Sequence, residues 1–272
     1  MQHVDNYVVG ILKSEVNSMY AIGKVDIGKK RTRNEDSIFV SNEPIGILPN
    51  LLIVADGMGG HKAGGVASEL AITSFCDYIK SHANIDIRTR EDVTILLKLG
   101  IRHANHAIFE KSKMDEAFGG MGTTLTVATV IEDIVYLAHV GDTRLYLIND
   151  KSIFQATTDH SLVQEMLEQG YIEENEIKVH PQRHIITRAV GTYAKVKVDT
   201  LIYDLTKVKY ILLCSDGLTS MLSNEEIHSI IKTHEASTKQ MVDQLIEAAN
   251  EKGGLDNIAV VIAKKQEVNQ AC

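Results

Sequence analysis

The sequence predicts one α+β domain in which strand-rich blocks alternate with helices. Three observations lead there. Unbroken apolar runs stop at turn residues over 51–55, 210–214 and 258–262, as buried strands do. Two longer stretches, 63–82 and 91–112, instead repeat apolar residues every three or four positions, as helices do. Nothing divides these blocks: with three prolines in 272 residues and no Ser/Gly-rich tract, no linker is visible. The length is large for one domain but within the reach of two-sheet domains. Residues 1–18 read as an N-terminal extension, 19–264 as the domain and 265–272 as a C-terminal tail.

In chain order, 19–25 reads as a strand. Gly28-Lys29-Lys30-Arg31-Thr32-Arg33-Asn34-Glu35-Asp36 then runs straight into the strand Ser37-Ile38-Phe39-Val40; taken alone, it is a charged hairpin turn. The strand at 51–55 carries Asp56 out of the core at its end, followed by Gly57-Met58-Gly59-Gly60. On the helix at 63–82, Ala67, Ala71, Phe75 and Tyr78 share a face; on the helix at 91–112, Val93, Leu97, Ile101, Ala104 and Ile108 form the stripe. His103 and His106 fall off that stripe and read as solvated, since no third metal ligand is near. Gly119-Gly120-Met121-Gly122-Thr123-Thr124 is glycine-rich but lacks the Gly-Lys-Ser/Thr of a phosphate-binding loop. Strands follow at 124–131, 134–140 and 143–148, with the turn Val140-Gly141-Asp142-Thr143-Arg144 between the last two. Segment 161–195 opens with a short helix to Glu168, ends it at Gly170 and continues as irregular polar chain through His180-Pro181-Gln182-Arg183-His184. It reads as a surface flap, the kind of long loop that carries function. Strands resume at 198–203 and 209–214. Ser223-Asn224-Glu225-Glu226 is a capping box opening a helix. The helix at 238–252 stops at Gly253-Gly254, and Leu255-Asp256-Asn257 feeds the last strand.

Composition narrows the function classes. Apolar residues are 44% and charged residues 24%, ordinary for a globular protein. The net charge of −8 comes with scattered Lys and Arg, which argues against nucleic acid as the partner. Cys76, Cys214 and Cys272 form no CxxC pair, as expected in a reducing cytoplasm. No signal-peptide pattern and no apolar run near the roughly 20 residues of a membrane span is visible. The expectation is therefore a cytoplasmic protein with no membrane partner.

Asp36, Asp56, Asp142, Asp216 and Asp256 all stand at strand ends beside apolar runs. Tyr210-Ile211-Leu212-Leu213-Cys214-Ser215-Asp216-Gly217 repeats the pattern of 51–57: apolar run, aspartate, glycine. Gly57, lacking a side chain, lets its carbonyl approach whatever Asp56 binds. Gathered carboxylates repel and raise one another's pKa values unless a cation neutralises them. Carboxylate, carbonyl and water oxygens suit Mg²⁺ or Mn²⁺ rather than zinc. Two such ions about 3.5–4 Å apart activate a bridging water and clamp a phosphoryl group, and a nearby arginine supplies bidentate phosphate recognition. The residues alone thus lead to a metal-dependent hydrolase, with phosphoesters as the candidate substrate.

Arg31-x-x-x-Glu35-Asp36, Asp56-Gly57-Met58-Gly59-Gly60-His61, Gly120-Met121-Gly122-Thr123-Thr124, Val140-Gly141-Asp142-Thr143-Arg144, Ser215-Asp216-Gly217-Leu218 and Asp256-Asn257 occur together in this order. In order and context they resemble the metal-dependent serine/threonine protein phosphatases of type 2C, in their compact bacterial form. Each motif alone is weak, six in order are specific, and the resemblance spans about 19–264. It implies a four-layer α-β-β-α sandwich: two antiparallel sheets flanked by helix pairs. It implies a bridging role for Asp56 between two Mn²⁺ or Mg²⁺ ions, with the Gly57 carbonyl on one and Asp216 and Asp256 on the other. Glu35 and Asp36 would act through water, Asp142 with Asp216 at a more weakly held third ion, and Arg31 rather than Arg33 on phosphate. The nucleophile would be the metal-bridging water, without a covalent enzyme intermediate.

Eukaryotic members place histidine, a proposed general acid, directly after the first Asp-Gly. Here that residue is Met58, so His61 is a candidate general acid or else structures its loop; His160 and His184 are weaker candidates. The implied partners are phosphorylated proteins, including a bacterial serine/threonine kinase, and the implied state is a monomer. A catalytically dead binding module would have eroded acids, yet all are present. An ATP-lid fold wants Asp-x-Gly-x-Gly, and position 58 is not glycine.

Overall fold

The computed structural model describes residues 19–60 and 63–265; the extension 1–18, His61 and the tail from 266 onward lie outside the described residues. The strands are β1 (Met19–Asp26), β2 (Asp36–Ser41), β3 (Leu51–Met58), β4 (Gly122–Thr123), β5 (Leu125–Ile131), β6 (Ile134–Val140), β7 (Arg144–Ile148), β8 (Ile153–Gln155), β9 (Asp199–Asp204), β10 (Tyr210–Cys214) and β11 (Ile258–Lys265). The helices are α1 (Ala63–Ser81), α2 (Arg90–Met114), α3 (Leu162–Glu168), α4 (Asp216–Thr219), α5 (Asn224–Thr233) and α6 (Thr238–Glu251). One sheet runs β1-β11-β10-β7-β8; the other runs β2-β3-β5-β6-β9, with β4 paired to β3. The sheet pairings are antiparallel.

Three apolar layers separate four structural ones. Ile53, Leu125, Val127, Tyr136 and Ala138 face helices α1 and α2, meeting Ala67, Phe75, Leu97 and Ile101. Leu52, Val54, Ala128, Leu137, Leu213 and Val261 fill the space between the sheets. Leu212, Val260 and Ile262 face α5 and α6, meeting Ile227, Ile231, Leu245 and Ile246. The architecture is the expected α-β-β-α sandwich. Alternate residues of one strand feed different cores, as Ile53 and Val54 do. Both faces of each sheet are covered, so antiparallel strands read as unbroken apolar runs, a pattern usual for parallel sheets.

Local signals set the helix ends. Ser223 caps α5 and Glu226 closes the box, as the sequence predicts; Thr89 and Asp92 do the same for α2. The stripe on α2 is buried throughout, whereas Tyr78 of α1 is half-buried and Ile79 takes the core position. His103 and His106 are exposed. Strand β8 and a 3₁₀ turn at Glu174–Val179 had no clear sequence signal; each is short and largely uncovered. Among the described residues no helix is long and apolar enough to cross a membrane.

Candidate active site

Each acid arrives at a strand end. The β2–β3 register sets Asp36 directly opposite Asp56. Asp142 sits in the turn between β6 and β7, Asp216 opens α4 directly after β10, and Asp256 stands two residues before β11. The two sheets therefore bring carboxylates from five separate segments to one place. Burial, reinforced by Asp36, Asp216, Asp142 and Asp256, drives the Asp56 carboxyl well above the usual carboxylate range. Burial also pushes Asp36 up to about 7; the Ser215 hydroxyl opposes the shift, and Asp216 and Asp256 add to it. Asp142 and Asp216 are raised too, first by burial and then by Asp216 and Asp256 respectively.

Backbone contacts explain why these acids stand where they do. A Cβ on Gly57 would overlap the Gly64 carbonyl at the start of α1, and one on Gly217 would overlap the Asn257 carbonyl. Both Asp-Gly steps thus need glycine for close backbone approach. The Asp56 main chain is clamped by the glycine-rich stretch: its N–H donates to Thr124 Oγ1 (2.9 Å), and its carbonyl accepts from Thr123 Oγ1 (2.8 Å) and Thr124 N (2.9 Å). Ser215 Oγ donates to Asp36 Oδ2 at 2.7 Å and accepts from Ala259 N at 2.8 Å, tying the two sheets together. Asn257 holds the Arg31 loop with three bonds. Its Nδ2 donates to the Ile27 and Arg33 carbonyls (2.9 and 2.8 Å), and its Oδ1 accepts from Glu35 N (2.9 Å).

Four carboxylate oxygens, Glu35 Oε1, Asp36 Oδ1, Asp142 Oδ1 and Asp216 Oδ1, are buried without a hydrogen-bond donor. A buried acceptor left unpaired costs roughly 1–3 kcal/mol, more when charged, and here like charges add to the cost. A hard divalent cation relieves both penalties, so this donor set fits Mg²⁺ or Mn²⁺. Yet among the described residues no three Asp, Glu, His or Cys side chains form a finished ligand cluster. The orphaned oxygens weigh more than that absence. Asp256 is turned aside, its Oδ2 accepting from Arg31 Nη2 at 2.7 Å, and carbonyl and water oxygens complete such sites.

The profile of the protein phosphatase 2C family matches residues 28–260. This chain belongs to the protein phosphatase 2C family. It is 39% identical over 253 residues to the serine/threonine phosphatase stp of Listeria welshimeri, covering 91% of this chain and 96% of that protein. Among solved structures, serine/threonine phosphatase Stp1 from Staphylococcus aureus superposes with a TM-score of 0.82 at 34% identity, over 92% of this chain and 96% of that one. The catalytic domain of the phosphatase PstP, in complex with two manganese ions, matches with a TM-score of 0.76 at 32% identity, over 90% and 97%. The chain is accordingly a serine/threonine protein phosphatase, and its substrates are phosphoproteins.

Within this phosphatase, Asp36, Asp56, Asp142, Asp216 and Asp256 share one site; Glu35 joins them beside Arg31, on which it acts together with Asp256 and Asp56, and its carbonyl accepts from Gly57 N at 3.1 Å. Arg31 is there too, paired with Asp256, while the Arg33 carbonyl serves the Asn257 staple. His61 lies outside the described residues. His160 is buried behind the Asp142 turn with its ring engaged, whereas His184, exposed in the flap, acts electrostatically on Asp216. Arg144 forks onto Asp159 (2.6–3.0 Å) instead of facing the site. The sequence assigns no task to Ser215, Asn257, Thr123 or Thr124, although each lies within one of the six motifs.

Proposed function

We propose that this phosphatase hydrolyses phosphoserine and phosphothreonine on proteins by direct attack of a water on phosphorus, with Mn²⁺ or Mg²⁺ as cofactor. The observation that carries the reading is the set of four buried carboxylate oxygens without donors. Asp56, the Gly57 carbonyl, Asp216 and Asp256 would hold two catalytic ions; Asp142, sharing Asp216, would hold a weaker third. When bound, such ions supply a water acidified for in-line attack and neutralise charge on the phosphoryl oxygens. Glu35 and Asp36 act through water; Ser215 fixes the direction of Asp36 by its 2.7 Å bond. Arg31, on a loop stapled by Asn257, binds the phosphoryl oxygens through its planar fork. With methionine at position 58, the proton for the leaving alkoxide falls to His61, His184 or a water.

We infer that the substrates include a bacterial serine/threonine kinase and that the enzyme works as a cytoplasmic monomer; the relatives, bacterial serine/threonine phosphatases by name, support the substrate class of phosphorylated proteins. The flap at 161–195 would choose among substrates: exchanging it for a relative's should alter preference among phosphopeptides and spare a small aryl phosphate. The central test is phosphate release from a phosphothreonine peptide with Mn²⁺ or Mg²⁺, with chelator, and with ATP as sole substrate. Release only with metal, none from ATP, and none in Asp216→Asn or Asp256→Asn is expected. Full turnover in excess chelator would sink the metal mechanism; ATP hydrolysis would point to a nucleotide enzyme.

A further inference from the structure

His160 meets the Asp142 turn from behind with both its main chain and its ring. Its N–H donates to the Gly141 carbonyl at 2.8 Å, and Gly141 N–H donates to His160 Nδ1 at 3.0 Å. One residue therefore satisfies both backbone groups of the glycine directly before Asp142. Because a backbone N–H can only donate, Nδ1 presents its lone pair and the ring proton sits on Nε2. That proton points to Asp199 Oδ2 at 3.1 Å, and the other oxygen of Asp199 accepts from Arg188 Nη1 at 3.0 Å. Arg188 Nη1 also approaches His160 Nε2 at 3.0 Å; both are donors, and both converge on the one carboxylate. His139 lies against the imidazole with ring centroids 4.8 Å apart, itself held by Thr126 Oγ1 at 2.8 Å. The ring is thus fixed in plane, tautomer and direction. Asp142 keeps one buried oxygen without any donor, and a backbone hydrogen bond within its own turn acts on the carboxyl, so the direction of the carboxylate follows the turn that His160 holds.

We propose that His160 is the positioning residue for Asp142, with Asp199 fixing its tautomer and Arg188 holding Asp199. The inference rests on the reading above, in which Asp142 takes part in the reacting centre. Neither His160 nor Asp199 touches the phosphoryl group; they act through the Gly141–Asp142 turn.

Two substitutions separate positioning from mere packing. In His160→Asn the amide oxygen falls where Nδ1 was and can still accept from Gly141. In His160→Gln the amide reaches toward Asp199 and the Gly141 acceptor is lost. Gln is the closer match to histidine in size, so a packing role favours Gln and a positioning role favours Asn. Losing one buried hydrogen bond should lower kcat by about tenfold in His160→Gln, and His160→Asn should stay within about threefold of the parent. KM for a small aryl phosphate should not change. In an Asp142→Ala background neither substitution should lower the residual kcat further, since coupled residues are not additive. Amide exchange at Gly141 gives a readout without catalysis: about tenfold faster in His160→Gln, near the parent in His160→Asn. Asp199→Ala, at a partly exposed position, should likewise speed that exchange with little change in Tm.

Equal behaviour of Asn and Gln, equal kcat losses with and without Asp142, or unchanged Gly141 exchange would each overturn the proposal. If the parent releases no phosphate with metal, it is the phosphatase mechanism that fails, and Gly141 exchange still decides the positioning.

Discussion

Arg31 and the divalent cations compete for Asp256, and that competition gives opposite signs for two measurements on one variant. Arg31 Nη2 stands 2.7 Å from Asp256 Oδ2, with the two side chains 51% and 34% exposed. A pair this open to solvent contributes about 0.2–1 kcal/mol, which corresponds to about 1.5- to 5-fold in an equilibrium constant. Arg31→Ala should therefore tighten Mn²⁺ at the site containing Asp256 by that factor. The loop should not shift, because Asn257 and the Gly254 carbonyl, which accepts from Lys29 N (2.7 Å) and Lys30 N (3.2 Å), hold it by its backbone. The same variant loses its charge-assisted bonds to phosphate, worth about 1.5–3 kcal/mol, so kcat/KM should fall by roughly one to two powers of ten. Arg33→Ala should change little in either measurement. The assay is calorimetric Mn²⁺ titration without substrate, beside steady-state kinetics on one phosphopeptide. Weaker Mn²⁺ binding in Arg31→Ala would refute the competition. An unchanged kcat/KM, or a large loss in Arg33→Ala, would refute the assignment of phosphate to Arg31.

Two further perturbations test the scaffold. Asn257→Ala removes three hydrogen bonds at once and should destabilise the fold by roughly 2–4 kcal/mol, raising KM more than it lowers kcat; denaturant unfolding and kinetics read the two effects, and a variant of parental stability would mean the staple is dispensable. The Asp36 carboxyl, pushed up to about 7 by burial, binds its proton more tightly folded than unfolded. Its contribution to stability is therefore fully present below about pH 4 and is lost as pH rises through about 7. Held in chelator, the protein should be less stable to denaturant at pH 8 than at pH 5, and Mn²⁺ should reverse the difference; greater stability at pH 8 in chelator would contradict it.

The fold was legible because its local signals agree with its global plan. The strand at 51–55 and the helix stripe at 93–108 are both pure burial patterns, and burial is what the layers require. The pairing of strands was not legible. The strands β1 and β11 lie side by side although they stand at opposite ends of the described chain, and no apolar run encodes which neighbour it takes. Nor does an unbroken run reveal direction, since covering both faces of an antiparallel sheet erases the alternation that would mark it. The layered arrangement came from six weak motifs in a fixed order, not from periodicity.

The site was legible to the extent that its chemistry demands particular atoms. A carboxylate at the end of an apolar strand stands out because nothing in the core wants it, which is why Asp56 and Asp216 announce themselves. The residues that aim those acids do not. Asn257 reaches the Arg33 carbonyl across 224 positions, and Ser215 reaches Asp36 across 179; in the sequence each is only a polar residue beside an aspartate, the composition of any turn. The same holds for Arg144, which in the sequence is only the last residue of the turn Val140-Gly141-Asp142-Thr143-Arg144 and whose fork closes on Asp159. Ligand chemistry constrains residue type and so leaves a mark in one dimension. Positioning constrains only distance, and a Ser, Thr or Asn satisfies it wherever the fold happens to bring a donor within about 3 Å. The aiming residues therefore had to wait for coordinates, and Ser215, Asn257 and His160 are the positions where substitution should alter rate without touching a single acid.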